Sequence, residues 1–153
     1  MNTIIFLDSG PLGLVTNPKA GEETKACATW LLSCLQAGAK VCLPEICDYE
    51  VRRELLRANK TKGLERLDQF KTQIDYVSLT TDMMLKAAEL WAQARNNGKP
   101  TAAPEALDGD VILAAQAVLS AIPGRSLCIA TTNVGHLSQF ADARHWQDIQ
   151  PEK

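Results

Sequence analysis

Four short stretches of the chain carry oxygen ligands just beyond apolar runs. Asp8 follows Ile4-Ile5-Phe6-Leu7, and Glu50 lies among Glu45, Asp48 and Glu54 just after Val41-Cys42-Leu43. Asp108-Gly109-Asp110 opens an amphipathic segment, and Asn133 follows Leu127-Cys128-Ile129-Ala130. Each residue alone has an ordinary role. Asp8 can bond the turn at Ser9-Gly10. Glu50 can sit on a solvated helix face where Asp48–Arg52 and Glu50–Arg53 are spaced as ion pairs. Asp108 can cap a helix whose dipole favours Asp110, and Asn133 can hold a turn. Taken together the acids ask for more, because clustered carboxylates repel unless a cation sits among them. A ligand set of oxygens without His or Cys selects a hard cation, Mg²⁺ or Mn²⁺. Such a cation polarises a phosphoryl oxygen, lowers the pKa of a bound water and steadies a leaving oxygen. The chemistry implied is metal-assisted hydrolysis of a phosphodiester.

The elements that must position these residues follow from periodicity. Strands are expected at Ile4–Leu7, 41–43, 74–79 and 127–130, with a last weak strand near 146–149. Asp8-Ser9-Gly10-Pro11 reads as a turn and 18–21 as a loop. Helices are expected over 22–37, 45–58 (opened by Pro44), 61–71, 80–97 and 108–119, with a short helix or turn after Asn133. Residues 99–107 read as a loop, with Gly98-Lys99-Pro100 ending the long helix before it. Strands alternating with helices of this length imply βαβ units, hence a parallel sheet covered on both faces. Ligands bind such sheets at the carboxyl ends of the strands, where the acids stand.

Composition narrows the class. The chain has 153 residues, 46% hydrophobic and 22% charged, with a net charge of -2. That describes one globular domain over 1–153 and argues against disorder or a strongly basic DNA-coating protein. No apolar run approaches membrane-spanning length, and MNTIIFLDSG lacks the features of a signal peptide, so a cytoplasmic location is expected. Five cysteines, no C-x-x-C and two histidines argue against a disulfide framework or a structural zinc. No Ser-His-Asp or Cys-His pattern recommends nucleophilic catalysis.

Four stretches in order resemble the PIN-domain family and, in size, the VapC-type toxins of bacterial toxin–antitoxin pairs. They are IFLDSGP from Ile5, LPEICDYEVRREL from Leu43, LDGDVILAAQA from Leu107, and IATTNVGH from Ile129. The resemblance implies a PIN-like α/β fold, with a central four- to five-stranded parallel sheet flanked by helices. It implies Mg²⁺ or Mn²⁺ held by Asp8, Glu50 and Asp110, with Asn133 beside them, and endoribonuclease activity. It also implies an antitoxin protein as partner and a homodimer. Many members place a further acid in the closing block, where this chain has Asn133 and His136. Asp108 or Asp142 stands as its substitute, and a catalytically weak PIN-like nucleic-acid-binding protein is the alternative reading. A receiver domain or a haloacid-type phosphatase fits poorly, since strand three lacks a terminal Asp and Asp8 does not open a D-x-D.

Between Arg52 and Lys71 basic residues exceed acids by four. Arg52, Arg53 and Arg57 are therefore expected to contact RNA phosphates, unless they pair within a solvated helical hairpin. Ser9 and Thr131 flank the acids and are expected to orient ligands or to touch the nucleic acid. His136, three residues after Asn133, is open to phosphate contact, a leaving-group role or none. Aromatics make up 5% of the chain, which favours recognition of RNA shape and backbone over base stacking.

Overall fold

The computed structural model describes residues 1–97 and 104–152, with the backbone path alone for 104–106. Five strands form one parallel sheet in the order β3-β2-β1-β4-β5. They are β1 Thr3–Leu7, β2 Lys40–Pro44, β3 Asp75–Val77, β4 Ser126–Thr131 and β5 Ala143–His145. The helices are α1 Ser9–Thr16, α2 Glu22–Gln36, α3 Glu45–Arg57, α4 Thr61–Phe70, α5 Thr81–Asn96, α6 Pro104–Leu119 and α7 Val134–Leu137. The order reverses at β1 and β4, so the switch point lies between Asp8 and Thr131.

The pleat of β1 separates two cores. Ile4 and Phe6 pack with Leu67 of α4 and Leu113 and Ala117 of α6. Ile5 and Leu7 pack on the opposite face with Cys27, Trp30, Leu31 and Cys34 of α2. A third cluster joins Ala87, Leu90 and Ala94 of α5 to Leu107, Val111, Ala114 and Ala115 of α6. Helices thus cover both faces, and all five cysteines are free and buried.

The structure departs from the sequence reading in four places. Ser9-Gly10-Pro11 opens helix α1 rather than a turn. Pro11 falls in the first helical turn, where a missing N–H costs no bond, and Asp8 is the N-cap. Helix α6 begins at Pro104, so Asp108 is inside the helix and caps nothing. Proline suits that first position. The expected loop at 99–103 and the helix stop at 98–100 lie outside the described residues. Strand β3 is only Asp75–Val77, because its one neighbour, β2, ends at Pro44 opposite Val77. The last strand is Ala143–His145, while Trp146–Asp148 is a 3₁₀ turn. Trp146 belongs to the core rather than to a strand, its ring 5.7 Å from that of Trp30. Trp30 in turn donates Nε1–H to the Ile149 carbonyl at 2.8 Å.

A polar staple fixes the helix that carries Glu50. Gln116 of α6 is fully buried; its Oε1 accepts from Ile46 N at 3.2 Å and its Nε2 donates to the Val77 carbonyl at 2.8 Å. Asp48, buried on α3, accepts from Arg52 Nε at 3.0 Å and from the Tyr76 hydroxyl at 2.7 Å. These bonds tie α3 to the sheet edge and set its rotation.

Candidate functional site

Asp8 sits where β1 becomes α1, at the switch point. Its Oδ1 accepts from Ser9 N at 2.7 Å, which is its capping role. Its Oδ2 accepts from Thr131 Oγ1 at 2.7 Å, across to the end of β4. Thr131 Oγ1 in turn accepts from Asn133 N at 2.9 Å. Asp8 is therefore locked in direction from two strands. Thr131 is fully buried, so it positions Asp8 and does not touch a nucleic acid. The Ser9 backbone does the same, while its hydroxyl stays beside Asp8 Oδ1 at 3.4 Å.

Glu50 reaches the same place from α3. Ligand atoms of Asp8, Cys47 and Glu50 all lie within 4.8 Å of one another. Cys47 and Glu50 are three residues apart on one helix face. The Cys47 thiol, 3.8 Å from Asp8 Oδ1, is held far from ionisation by burial and then by Asp8. It lines the site as a neutral group. The Glu50 carboxylate lies against α6 at Gly109, where an added Cβ would stand 2.7 Å from Oε2. A side chain there would make the Glu50 carboxylate shift from its present position. Gly10 stands likewise beside Thr132, whose Oγ1 would lie 2.6 Å from its Cβ.

Asp110 of α6 adds a carboxylate that is coupled in charge to Asp8 and Glu50 but is not among the ligand atoms within 4.8 Å of one another. Its Oδ2 is shielded from solvent and lacks a hydrogen-bond partner. Its nearest cation-capable neighbour, His136 Nδ1, is 3.8 Å away. Burial, followed by the charge of Asp8, pushes Asp110 up to about 6. Burial and then Asp8 push Glu50 up to about 7, with Asp110 adding to the effect and Arg53 opposing it. Glu50 and Asp110 thus resist ionisation beside Asp8, the expected state of an acid cluster without its cation. The donor chemistry fits a hard divalent ion: three carboxylates from three elements, one of them with an oxygen lacking a partner. Asp8, Glu50 and Asp110 are the residues able to hold it.

The remaining candidates separate. Asp108 lies about 200° around α6 from Asp110, since each residue turns the helix by about 100°. It is exposed in a groove with Met84 and Trp91 and does not join the acids. Asp142 pairs with Arg144 at 3.0 Å on the far side of β4. Asn133 stands at the site and offers its amide to His136 Nδ1 at 2.9 Å. Arg52 is bound to Asp48 and, at 2.9 Å, to Asp68, while Arg57 and Glu54 form an exposed pair along α3. Arg53 is exposed and stacks over Tyr49 at 5.1 Å. An apolar-floored groove with Lys19, Lys60 and Lys62 on its rim opens beside the site and shares Gly13, Val51 and Leu55 with the cleft at Glu50.

Sequence reasoning missed Cys47, Gly109 and Gln116. The helical spacing of Cys47 to Glu50 was one available signal. A glycine inside a helix, at about 1 kcal/mol worse than alanine, was another. Nothing in the sequence marked Gln116.

No family model matches the chain, and no curated protein matches it. Solved structures do. A chain in the structure of VapBC2 from Rickettsia felis bound to a promoter DNA fragment aligns with a TM-score of 0.69 at 14% identity. The alignment covers 94% of this chain and 98% of that one. A chain of VapBC-1 from nontypeable Haemophilus influenzae aligns with a TM-score of 0.66 at 14% identity, over 95% of this chain and 99% of that one. Identity this low carries the fold alone, and the fold is that of these VapBC chains, the PIN-like α/β architecture that the four sequence stretches resemble.

Proposed function

We propose that the protein is a metal-dependent endoribonuclease, the toxin of a type II toxin–antitoxin pair. The observation that carries this reading is the approach of Asp8 and Glu50, from β1 and α3, at the carboxyl end of the sheet, with Asp110 of α6 electrostatically coupled to both and its Oδ2 unpaired. Mg²⁺ or Mn²⁺ held by these three would supply a Lewis acid for phosphodiester hydrolysis. Thr131 and the Ser9 backbone keep Asp8 aimed, and Gly109 lets Glu50 approach. Arg53, beside Glu50, is the arginine available to an RNA phosphate. The VapBC neighbours support an antitoxin protein as partner, and a homodimer in the cytoplasm is part of the same proposal. Among the described residues no helix is long and apolar enough to cross a membrane.

The test is cleavage of a small-RNA pool in Mn²⁺, beside Asp110→Asn and a chelator control. Discrete products absent from both controls support the reading. Products unchanged in Asp110→Asn would place the chemistry elsewhere. One observation favours the second reading, a weak PIN-like nucleic-acid-binding protein: no fourth carboxylate joins the cluster among the described residues. RNA bound in chelator but never cut would select it.

A further inference from the structure

We propose that His136 contacts the substrate, donating its Nε2–H to a non-bridging oxygen of an RNA phosphate at the carboxylate site. The inference takes the RNA phosphate from the reading above; the donor itself follows from the hydrogen bonds. His136 Nδ1 lies 2.9 Å from Asn133 Nδ2. An amide nitrogen only donates, so Nδ1 accepts, and the proton of the neutral ring sits on Nε2. Asp110 Oδ2, at 3.8 Å, is too distant for a hydrogen bond and does not compete for Nδ1. Asn133 is itself fixed, because its backbone N–H is bonded to Thr131 Oγ1, which is bonded to Asp8. A single chain of bonds thus runs from the first carboxylate to the imidazole and sets its tautomer.

Among the described residues Nε2 makes no hydrogen bond, and the side chain is 34% exposed. Three clustered carboxylates repel a polyanion, so a neutral donor at their rim eases the approach of a phosphate. Arg52 is already engaged with Asp48 and Asp68. His136 also stands beside Asp110, its Nδ1 3.8 Å from Oδ2.

The test uses the full chain with His136→Ala, His136→Asn and His136→Gln. Glutamine carries its amide at about the reach of Nε2, and asparagine at that of Nδ1. Two readouts are taken: kcat and KM on a labelled small RNA in Mn²⁺, and RNA affinity in chelator by fluorescence polarisation. Loss of one such donor is expected to lower kcat/KM on the order of 10²-fold in the Ala and Asn variants. A charge-assisted hydrogen bond is worth roughly 1.5 kcal/mol or more, so their RNA affinity should fall about tenfold. His136→Gln should stay close to wild type in both, and the melting temperatures of the His136 variants should not move. Wild-type behaviour of His136→Ala in both readouts overturns the inference and leaves the nuclease reading standing. So does failure of His136→Gln to rescue. A protein that never cuts RNA, but whose binding weakens in His136→Ala and recovers in His136→Gln, overturns the nuclease reading and keeps the donor. A protein that neither cuts nor binds RNA overturns both.

Discussion

Glu50→Gln should make the metal-free protein more stable at pH 8 and no more stable near pH 4. Glu50 is raised from an ordinary 4.5 to about 7, first by burial and then by Asp8. Its ionisation therefore disfavours the folded state. Below about pH 4.5 the carboxyl is protonated folded or unfolded, and the penalty is absent. As pH rises through 4.5 to 7 the unfolded chain releases its proton first, and stability is lost. Above about 7 the loss is complete. At about 1.36 kcal/mol for each pH unit, the full penalty is about 3 kcal/mol. Glu50 is only partly shielded from water, which reduces this to about 1–2 kcal/mol. For a chain of this size, with about 2–4 °C for each kcal/mol, the melting temperature should rise by about 2–8 °C. The assay is thermal unfolding in chelator across pH 4–8, read as variant minus wild type. Mn²⁺ should reverse the order, since an ion at 100 times its Kd stabilises the wild type by about 2.7 kcal/mol and the variant has lost a ligand. A gain that is equal at every pH, or a lower melting temperature at pH 8, would refute the argument that Glu50 is strained by charge.

Thr131→Val removes the buried donor to Asp8 Oδ2 while keeping shape. It should cost about 1–3 kcal/mol by chemical denaturation and weaken the Mn²⁺-induced rise in melting temperature. Gly109→Ala gains up to about 1 kcal/mol of helix propensity but pushes its Cβ into Glu50 Oε2. Its unfolding midpoint should hold or rise while Mn²⁺ binding, measured by calorimetry, falls; unaltered binding would show that Glu50 does not need that approach. Arg52→Ala and Arg53→Ala should divide cleanly. The first strips buried Asp48 of a partner, costs on the order of 1–3 kcal/mol, and leaves RNA affinity in chelator unchanged. The second leaves stability alone and weakens RNA binding. Equal loss of RNA affinity in both would return Arg52 to the phosphate rim.

The strands were legible because a buried parallel strand is a short apolar run, and Ile4–Leu7 and Leu127–Ala130 have no other use. The carboxylates at their ends were legible for the same reason, since nothing in a hydrophobic run calls for Asp8. Helix α1 was not, because Gly10, Pro11 and Gly13 carry the local signature of a turn. The cap on Asp8 and the close packing at Thr132 outweigh it, and both are tertiary facts. Asp108 failed for a simpler reason. The helix starts four residues earlier than its apolar pattern suggested, at Pro104, and two residues along a helix face nearly opposite ways. Asp108 and Asp110 were never able to serve one ion from one helix face. The pairing of Arg52 was only half legible, because Asp68 is distant in sequence. Asp68 and the Tyr76 hydroxyl complete the Asp48 network from α4 and β3, and no local spacing announces them.

The positioning of the acids and their mutual repulsion are balanced by different parts of the chain. Asp8 has donors on both oxygens and is the fixed member. Glu50 and Asp110 are left without comparable donors and are the two that burial raises. A cluster in which every carboxylate were fully hydrogen-bonded would be more stable without metal and would bind it less well, because those donors occupy the lone pairs an ion needs. The bonds of this site go to one acid, and to the helix that carries a second, through Gln116 and Asp48. The open lone pairs are kept on Glu50 and Asp110, which are coupled in charge. Metal affinity should therefore be lost most sharply when either of these two is neutralised. Releasing Asp8 from Thr131 should instead broaden and weaken binding without abolishing it, an ordering that calorimetric titration of Mn²⁺ into Glu50→Gln, Asp110→Asn and Thr131→Val reads directly. If Thr131→Val proved the most damaging of the three, orientation of Asp8 rather than the charge of the unpaired acids would be what governs the ion.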